Sequence, residues 1–313
     1  MICKKSLQLI LDIKCNSRCN LCGASWPFNV SWNYEQALHC LEQGVQQGIS
    51  QVILSGGEVT LRPDLVSIVA QAKAMGYISV TLLTNGRRLD NASYVIDLVS
   101  SGASGIGTTL YSSMPGTHDQ ITGVQGSFKQ TMAGIWTICT VAPQIPLSVN
   151  IVVTMENFRY LVQTVKFLLN FNIRSLQVTY VVPIGRAKGI FTRPGMPGMT
   201  ETLPFVRGAV EAFLQAVGDQ PHTSITTVFY PRCILRDLAR YAGDEDPAMT
   251  FFASPEGTLT SLKECLEIDD LTAKASHCKG CVDNKRCIGL WKEYIEVKGY
   301  SEINSVWEGI NGN

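Results

Sequence analysis

The sequence predicts an α/β protein: a partial, open (β/α)6 barrel followed by a small cysteine-rich extension. Three observations predict it. Six short apolar runs alternate with segments of helical periodicity, the pattern of parallel βαβ units. Each run ends in residues suited to tight turns or ligands, which is where parallel α/β sheets bind what they bind. Past residue 190 the alternation stops, and five cysteines fall within roughly 55 residues, a density that points to metal.

The first run, Leu7–Ile13, has the length and composition of a buried strand, and Cys15, Cys19 and Cys22 follow on the loop that leaves it. Spacings of three and two residues let one short loop wrap its sulfurs around a compact iron–sulfur core. Three thiolates leave the fourth iron of a [4Fe–4S] cluster open to a non-protein ligand. The alternative is a structural zinc site or three buried thiols, but zinc favours paired Cys-x2-Cys units with a fourth protein ligand nearby. A helix is expected from about Asn33 to Gly48, with apolar Ala37, Leu38, Leu41 and Val45 on one face. Trp26 and Phe28, before it, read as a cover for the loop.

The second run, Gln51–Ser55, ends in Gly56-Gly57-Glu58, where paired glycines admit close backbone approach and a carboxylate can accept from an ammonium group. A helix follows from about Arg62 to Met75. Ile78–Thr84 is the third strand, ending in Asn85-Gly86, so Thr84 and Asn85 are candidates to meet a cofactor. A helix near Tyr94–Ser101 leads to strand four, Gly105–Leu110, with Thr108 a further cofactor candidate. His118 and Asp119 resemble a general acid–base pair in type. Strand five, Leu147–Thr154, sets Asn150 among apolar neighbours, where a buried amide must find partners. After a helix from about Phe158 to Asn170 comes strand six, Leu176–Val182, closing on Val182 and Pro183.

Residues 189–200 are rich in glycine and proline and read as a loop, with a helix from about Leu203 to Val217. The division expected is a barrel core over 1–190, a linker helix and bridging strand over 191–230, and a cysteine-rich unit over 231–313. A hairpin-like stretch, Thr250–Ser261, lies in that unit. Lysine plus arginine equal aspartate plus glutamate at 26 each, so no field of one sign advertises nucleic acid or a membrane as partner. No stretch reaches the roughly 18 apolar residues of a membrane span. Eleven cysteines without an apolar signal segment suggest a reducing, cytoplasmic setting.

The triad Cys15-x3-Cys19-x2-Cys22 after a first strand, followed one βα unit later by Gly56-Gly57-Glu58, resembles the radical S-adenosylmethionine (SAM) enzymes over about residues 7–190. The resemblance implies a TIM-type partial barrel and a [4Fe–4S] cluster on the three cysteines. It also implies SAM held by Gly56, Gly57 and Glu58 through its methionyl amine, with Thr84, Asn85, Thr108 and Asn150 reaching other parts of the cofactor and Val182 and Pro183 near the adenine. Leu21 stands where the family often has an aromatic residue. In that family the His118–Asp119 pair mainly orders a loop. Ile121-Thr-Gly123 and Gly126-Ser-Phe128 resemble the peptide-modifying branch.

The tail, with Cys278-x2-Cys281-x5-Cys287, resembles the reduced SPASM or twitch extensions that carry one auxiliary [4Fe–4S] cluster. Cys233 is favoured over Cys265 as its fourth ligand. Whichever is left over, Cys265 or Cys233, is either a plain thiol or a hydrogen donor to a substrate radical, and zinc is the alternative for this cysteine set. The activity implied is reductive cleavage of SAM to a 5′-deoxyadenosyl radical that takes hydrogen from a ribosomally made peptide. A sugar or aminocyclitol is the second substrate class, and a non-catalytic cluster carrier the third reading. The partners implied are an external electron donor of flavodoxin or ferredoxin type and, since strand one begins at residue 7, a separate leader-peptide-binding protein or direct leader recognition.

Overall fold

The computed structural model describes residues 5–23, 31–191, 196–218, 223–243, 250–254, 256–261, 264 and 268–304. The six expected strands form as β1 (Ser6–Ile10), β2 (Gln51–Ser55), β3 (Ser79–Leu83), β4 (Gly105–Thr109), β5 (Leu147–Val153) and β6 (Ser175–Tyr180). They pair in parallel, each with the next. The sheet then goes further than expected. A seventh parallel strand, β7 (Ser224–Val228), adds beside β6, and the hairpin of β8 (Thr250–Ala253) and β9 (Leu259–Ser261) joins the opposite edge beside β1. The result is one nine-stranded sheet in the order β7-β6-β5-β4-β3-β2-β1-β8-β9.

Most of the parallel strands show one buried side and one half-open side, while β4 is buried on both sides from Gly105 to Thr108. On β5, Leu147, Val149, Ile151 and Val153 are buried under the helices, whereas Ser148, Asn150 and Val152 face the lumen of the open barrel. Register carries this alternation across the sheet, because directly paired residues in a parallel ladder share a face. Leu83, Gly107, Ser148, Ser175 and Ser224 form one lumen row, and Thr109, Asn150, Gln177 and Thr226 the next. None of the seven parallel strands carries Asp, Glu, Lys, Arg or His. Barrel interiors are ordinarily filled by bulky branched apolar residues. This one mixes hydroxyl and amide groups with Ile10, Ile53, Leu83, Val152 and Val228.

The helices on the outer side start where local chemistry lets them. Asn33 caps α1 (Tyr34–Gln46): its side chain accepts from the Gln36 N–H, and the Gln36 side chain accepts from the Asn33 N–H. Gly44 on α1 must be small, since a Cβ there would stand 2.2 Å from the Tyr77 hydroxyl, which donates to the Leu41 carbonyl. α2 (Leu65–Ala74) begins later than expected because Arg62, which precedes Pro63, is held extended (φ −75°, ψ 127°) after the 3-10 turn Val59–Leu61. α3 (Ala92–Ser100), α4 (Pro115–Thr122), α5 (Ser127–Val141) and α6 (Leu161–Leu168) cover the remaining strands. A short helix, α7 (Lys188–Phe191), precedes α8 (Met199–Val217).

α8 begins four residues before the expected Leu203, inside the stretch read as loop. Its exposed first N–H groups are met from far away: the Glu302 carboxylate accepts from the Met199 and Thr200 N–H groups at 3.1 Å each. Tyr180, Tyr230 and Tyr294 stack edge to face at that junction, with ring centroids 5.3 and 6.0 Å apart. No helix among the described residues is long and apolar enough to cross a membrane.

Candidate functional site

The cysteine loop leaves the C-terminal end of β1 and is stitched to its neighbours through the backbone. The Gly57 N–H donates to the Asp12 carbonyl at 2.7 Å and the Glu58 N–H to the Lys14 carbonyl at 2.8 Å. This explains the paired glycines differently from the sequence reading. A Cβ on Gly57 would lie 2.3 Å from the Lys14 carbonyl oxygen, and one on Gly56 would lie 2.4 Å from that of Asp12. What needs the space is the cysteine loop itself. Further along, the Arg18 and Asn20 N–H groups donate to the Thr122 and Ile121 carbonyls at the end of α4. The Cys22 carbonyl accepts from the Arg186 N–H at 3.0 Å, in the turn after β6.

Glu58 is 1% exposed, and its carboxylate joins two strand ends. Oε1 accepts from the Thr60 N–H (3.0 Å), the Thr60 hydroxyl (2.5 Å) and the Thr84 hydroxyl (2.6 Å), and Oε2 from the Asn85 N–H (2.7 Å). Thr84 thus serves Glu58. The Asn85 side-chain amide donates to Asn16 Oδ1 at 2.6 Å and reaches Cys15 Sγ at 3.9 Å, while the Ser17 N–H donates to the same sulfur at 3.3 Å. Cys15, Cys19 and Cys22 stand near enough to act on one another electrostatically. Burial pushes the Cys19 thiol up to about 11, opposed by the Tyr111 hydroxyl beside it and reinforced by Cys22 and Cys15. Burial also raises Cys15, against the pull of the Ser17 N–H, with Glu58 and Cys22 adding to the rise.

The other expected positions divide. Asn150 lies on the lumen, accepting from the Thr179 hydroxyl at 2.7 Å. Val182 and Pro183 start the turn that packs its Ile184 and Gly185 against Gly23 and Cys22. Thr108 is a correction: strand parity turns it away from the lumen, to a buried place beside Gly86, and its neighbour Thr109 takes the lumen position. His118 is 1% exposed, and its Nδ1 accepts from the Tyr111 N–H at 3.3 Å. Burial lowers its pKa to about 4, so at neutral pH it is an uncharged packing group. Asp119 holds the start of α5, accepting from Gly126, Ser127 and Phe128. Those hydrogen bonds hold its carboxyl below the usual range despite desolvation. Trp26, Phe28 and Cys265 lie outside the described residues.

Sequence reasoning missed Arg87. Its guanidinium reaches the Asn16 carbonyl and the Ser17 hydroxyl, inside the three-residue spacer between Cys15 and Cys19, and donates through Nε to Gln130 on α5 at 2.7 Å. An arginine after Asn-Gly carries no local signal of such a role.

In the tail, Cys233, Cys278, Cys281 and Cys287 line one cavity together with Arg232, Lys274 and Asp283. Burial pushes the Cys233 thiol up to about 11, with Cys287 adding to the rise, and burial raises Cys287 despite the N–H of Gly289 that it accepts at 3.3 Å. Among the described residues no three His, Cys, Asp or Glu side chains close on a point as the ligands of a single ion do. The four thiols rim a space.

Three comparisons with known proteins bear on this geometry. A family model described as "Radical SAM superfamily" matches residues 12–168. A probable GTP 3′,8-cyclase of Saccharolobus islandicus (strain M.14.25 / Kamchatka #1) is 30% identical over 189 residues, 60% of this chain and 60% of that one. Its counterpart in Sulfurisphaera tokodaii is 28% identical over 189 residues, with 60% and 59% covered. The chain therefore spans about 60% of the length of these curated relatives. Among solved structures, Streptococcus suis SuiB bound to precursor peptide SuiA has a TM-score of 0.69 at 15% identity, covering 94% of this chain and 73% of that one. Native anSMEcpe with bound AdoMet has a TM-score of 0.66 at 14% identity, covering 97% and 99%. At such identities the likeness is one of fold.

Proposed function

The chain belongs to the radical SAM superfamily, which implies a [4Fe–4S] cluster and SAM, and on that premise we propose that it reductively cleaves SAM and takes a hydrogen atom from a peptide substrate. The observation that carries this reading is the convergence at the barrel mouth. One loop bears Cys15, Cys19 and Cys22, and hydrogen bonds tie it to the chain ends that present Glu58, Asn85 and Arg186.

The residues fit both groups. Three thiols on one loop are an all-sulfur donor set for iron, and they leave one iron of a cube without a protein ligand. When bound, the cluster would supply the single electron that reductive cleavage of SAM requires. The chain binds, orients and shields. Cys15, Cys19 and Cys22 hold the iron as thiolates. Gly56, Gly57 and Glu58 form the wall for the methionyl end, with Asn85 bridging from that wall to the cysteine loop. Asn150, Val182 and Pro183 border the nucleoside end. In the tail, Cys233, Cys278, Cys281 and Cys287 are the ligands of an auxiliary [4Fe–4S] cluster, supported by their shared cavity. An external electron donor of flavodoxin or ferredoxin type and, for a leader-bearing substrate, a separate peptide-binding protein complete the partners.

A peptide is favoured because the folds of SuiB, solved with its precursor peptide, and of anSMEcpe, solved with peptides, match this chain over 94–97% of its length, through the tail. The uncharged lumen agrees with it: a row of Thr109, Asn150, Gln177 and Thr226 suits backbone amides and hydroxyls. A small-molecule substrate is the second reading, favoured by the sequence relatives, which are cyclases of GTP. A triphosphate calls for arginine or lysine forks, and the seven strands supply none. The small molecule of that reading is a sugar or an aminocyclitol.

The test is anaerobic reconstitution with iron and sulfide, followed by SAM and dithionite. 5′-Deoxyadenosine should form, and deuterium should pass into it from a labelled candidate peptide. Formation without transfer from any peptide, together with transfer from a labelled sugar, would move the assignment to the second reading.

A further inference from the structure

We propose that Arg87 is a positioning residue for the iron-binding loop: its fork fixes the Cys15–Cys19 spacer, and its charge favours the reduced state of the cluster held there. The inference rests on the assignment of Cys15, Cys19 and Cys22 as iron ligands. It goes beyond that assignment by naming what holds the loop in shape and what sets its electrostatics.

The first argument is geometric. A spacer of three residues has enough backbone freedom to point its two sulfurs apart, so something must restrict it. Arg87 reaches both of the groups that define the spacer's course, the Asn16 carbonyl and the Ser17 hydroxyl, the latter at 3.1 Å. Ser17 is the residue whose N–H points at Cys15 Sγ, 3.3 Å away. Holding Ser17 therefore aims a hydrogen-bond donor at a ligand sulfur.

Arg87 is itself held on two sides. Its own N–H donates to Asn85 Oδ1 at 3.0 Å, and its Nε donates to Gln130 Oε1 at 2.7 Å. The same Asn85 side chain donates to Asn16 Oδ1 and reaches Cys15 Sγ. The turn after β3 thus meets the spacer with two side chains, and α5 braces the longer one. A planar guanidinium can serve three acceptors in fixed directions at once, which a lysine ammonium on a flexible stem does not reproduce.

The second argument is electrostatic. Among the described residues no carboxylate pairs with Arg87; its side-chain partners are a carbonyl, a hydroxyl and an amide. An arginine stays protonated at every working pH. The loop it grips would carry three thiolates and a cluster that gains one more negative charge on reduction. A fixed cation beside that loop stabilises the reduced form more than the oxidised one. Charge near a cluster and hydrogen bonds to its sulfurs are among the terms that set its potential.

Two variants separate the two arguments. Arg87→Lys keeps the charge and loses the fork, so it should release iron to a chelator faster while its reduction potential stays close to the wild type. Arg87→Gln loses the charge as well, so it should release iron about 10–100-fold faster, the usual range for an outer-shell partner of a metal ligand. Its potential, measured by redox titration followed by electron paramagnetic resonance, should move to more negative values. Gln130→Ala, which removes one brace and leaves the charge, should speed iron release without moving the potential. Arg87→Gln or, if it does not fold, Arg87→Met, showing wild-type iron retention and wild-type potential would overturn the proposal, and so would wild-type iron retention in both Gln130→Ala and Arg87→Lys. If the wild-type chain takes up no iron, the ligand assignment fails instead.

Discussion

The two cysteine sets differ in what holds them. The N-terminal loop is bonded to the turns after β2, β3 and β6 and to the end of α4, so a large parallel sheet determines where its thiols stand. The tail set sits among much smaller elements: paired strands of two residues each, Thr272–Ala273 and Leu290–Trp291, and a 3-10 turn, Ser276–Gly280. Ion pairs from Arg232 (3.4 Å) and Arg286 (2.5 Å) converge on Asp283 beside its cavity. A sheet of nine strands buries its own core. Elements this short bury little of their own and lean on the main core through Leu290, Trp291 and Tyr294, so a metal on the tail thiols, as proposed, would supply a larger share of the local order. On the proposed assignment, the first site would be a scaffold that receives a cluster, and the second a cluster that completes a scaffold.

The largest effect should come from breaking one set at a time. Cys19→Ala should abolish 5′-deoxyadenosine formation and remove the iron of the first site. Cys281→Ala should lose the iron of the second site, keep the cleavage of SAM and lose turnover of substrate. Iron and sulfide counts with product chromatography check both. If Cys281→Ala also stopped SAM cleavage, the two sites would not be the separate units described here.

Next in size are the glycines that let each set form. A Cβ on Gly57 meets the Lys14 carbonyl at 2.3 Å, and one on Gly289, whose φ is +89°, meets the Ala273 carbonyl at 2.4 Å. Gly57→Ala should empty the first site selectively and Gly289→Ala the second, with spectroscopy of each cluster as the readout. Glu58→Ala should follow. It strands the donors of Thr60, Thr84 and Asn85 in a buried place, which costs about 1–3 kcal/mol for each group left unsatisfied and should lower Tm and weaken SAM binding.

How much of this was legible in the sequence follows the range of the interactions. The strand runs and the hairpin at 250–261 depend on neighbours close in the chain, and those readings agree with the structure. The edge that β8 occupies beside β1 depends on pairing across some 240 residues, for example Ser6 with Thr250, and nothing local announces it. Thr108 failed because a run of small and β-branched residues, Gly-Ile-Gly-Thr-Thr, does not reveal which side is the lumen. The start of α8 was missed although Glu201 accepts from the Gly198 N–H three residues before it; the distant Glu302 meets the next two N–H groups. Arg87 had no signal, since its partners lie in the cysteine loop and on α5.

Two smaller effects sharpen the contrast. Cys19 and Cys233 are both raised from the ordinary thiol value of 9.0 to about 11, so each favours its protonated form in the folded state. The stability they contribute is present below pH 9.0 and is lost as pH rises through about 11. Metal-free protein should therefore lose thermal stability across that window, and iron-loaded protein, in which Cys19 and Cys233 are already deprotonated and only other buried thiols such as Cys40 still titrate there, should lose less. Smallest is Glu302→Gln, which weakens the cap of α8 and should cost about 1 kcal/mol in urea unfolding without changing either iron content.

The most direct test uses Cys281→Ala protein, reduced and anaerobic, so that the first cluster is observed alone. Adding SAM should change its electron paramagnetic resonance spectrum if SAM binds, as proposed, the iron that Cys15, Cys19 and Cys22 would leave open. A spectrum indifferent to SAM, or zinc in place of iron at those three thiols, would contradict the account.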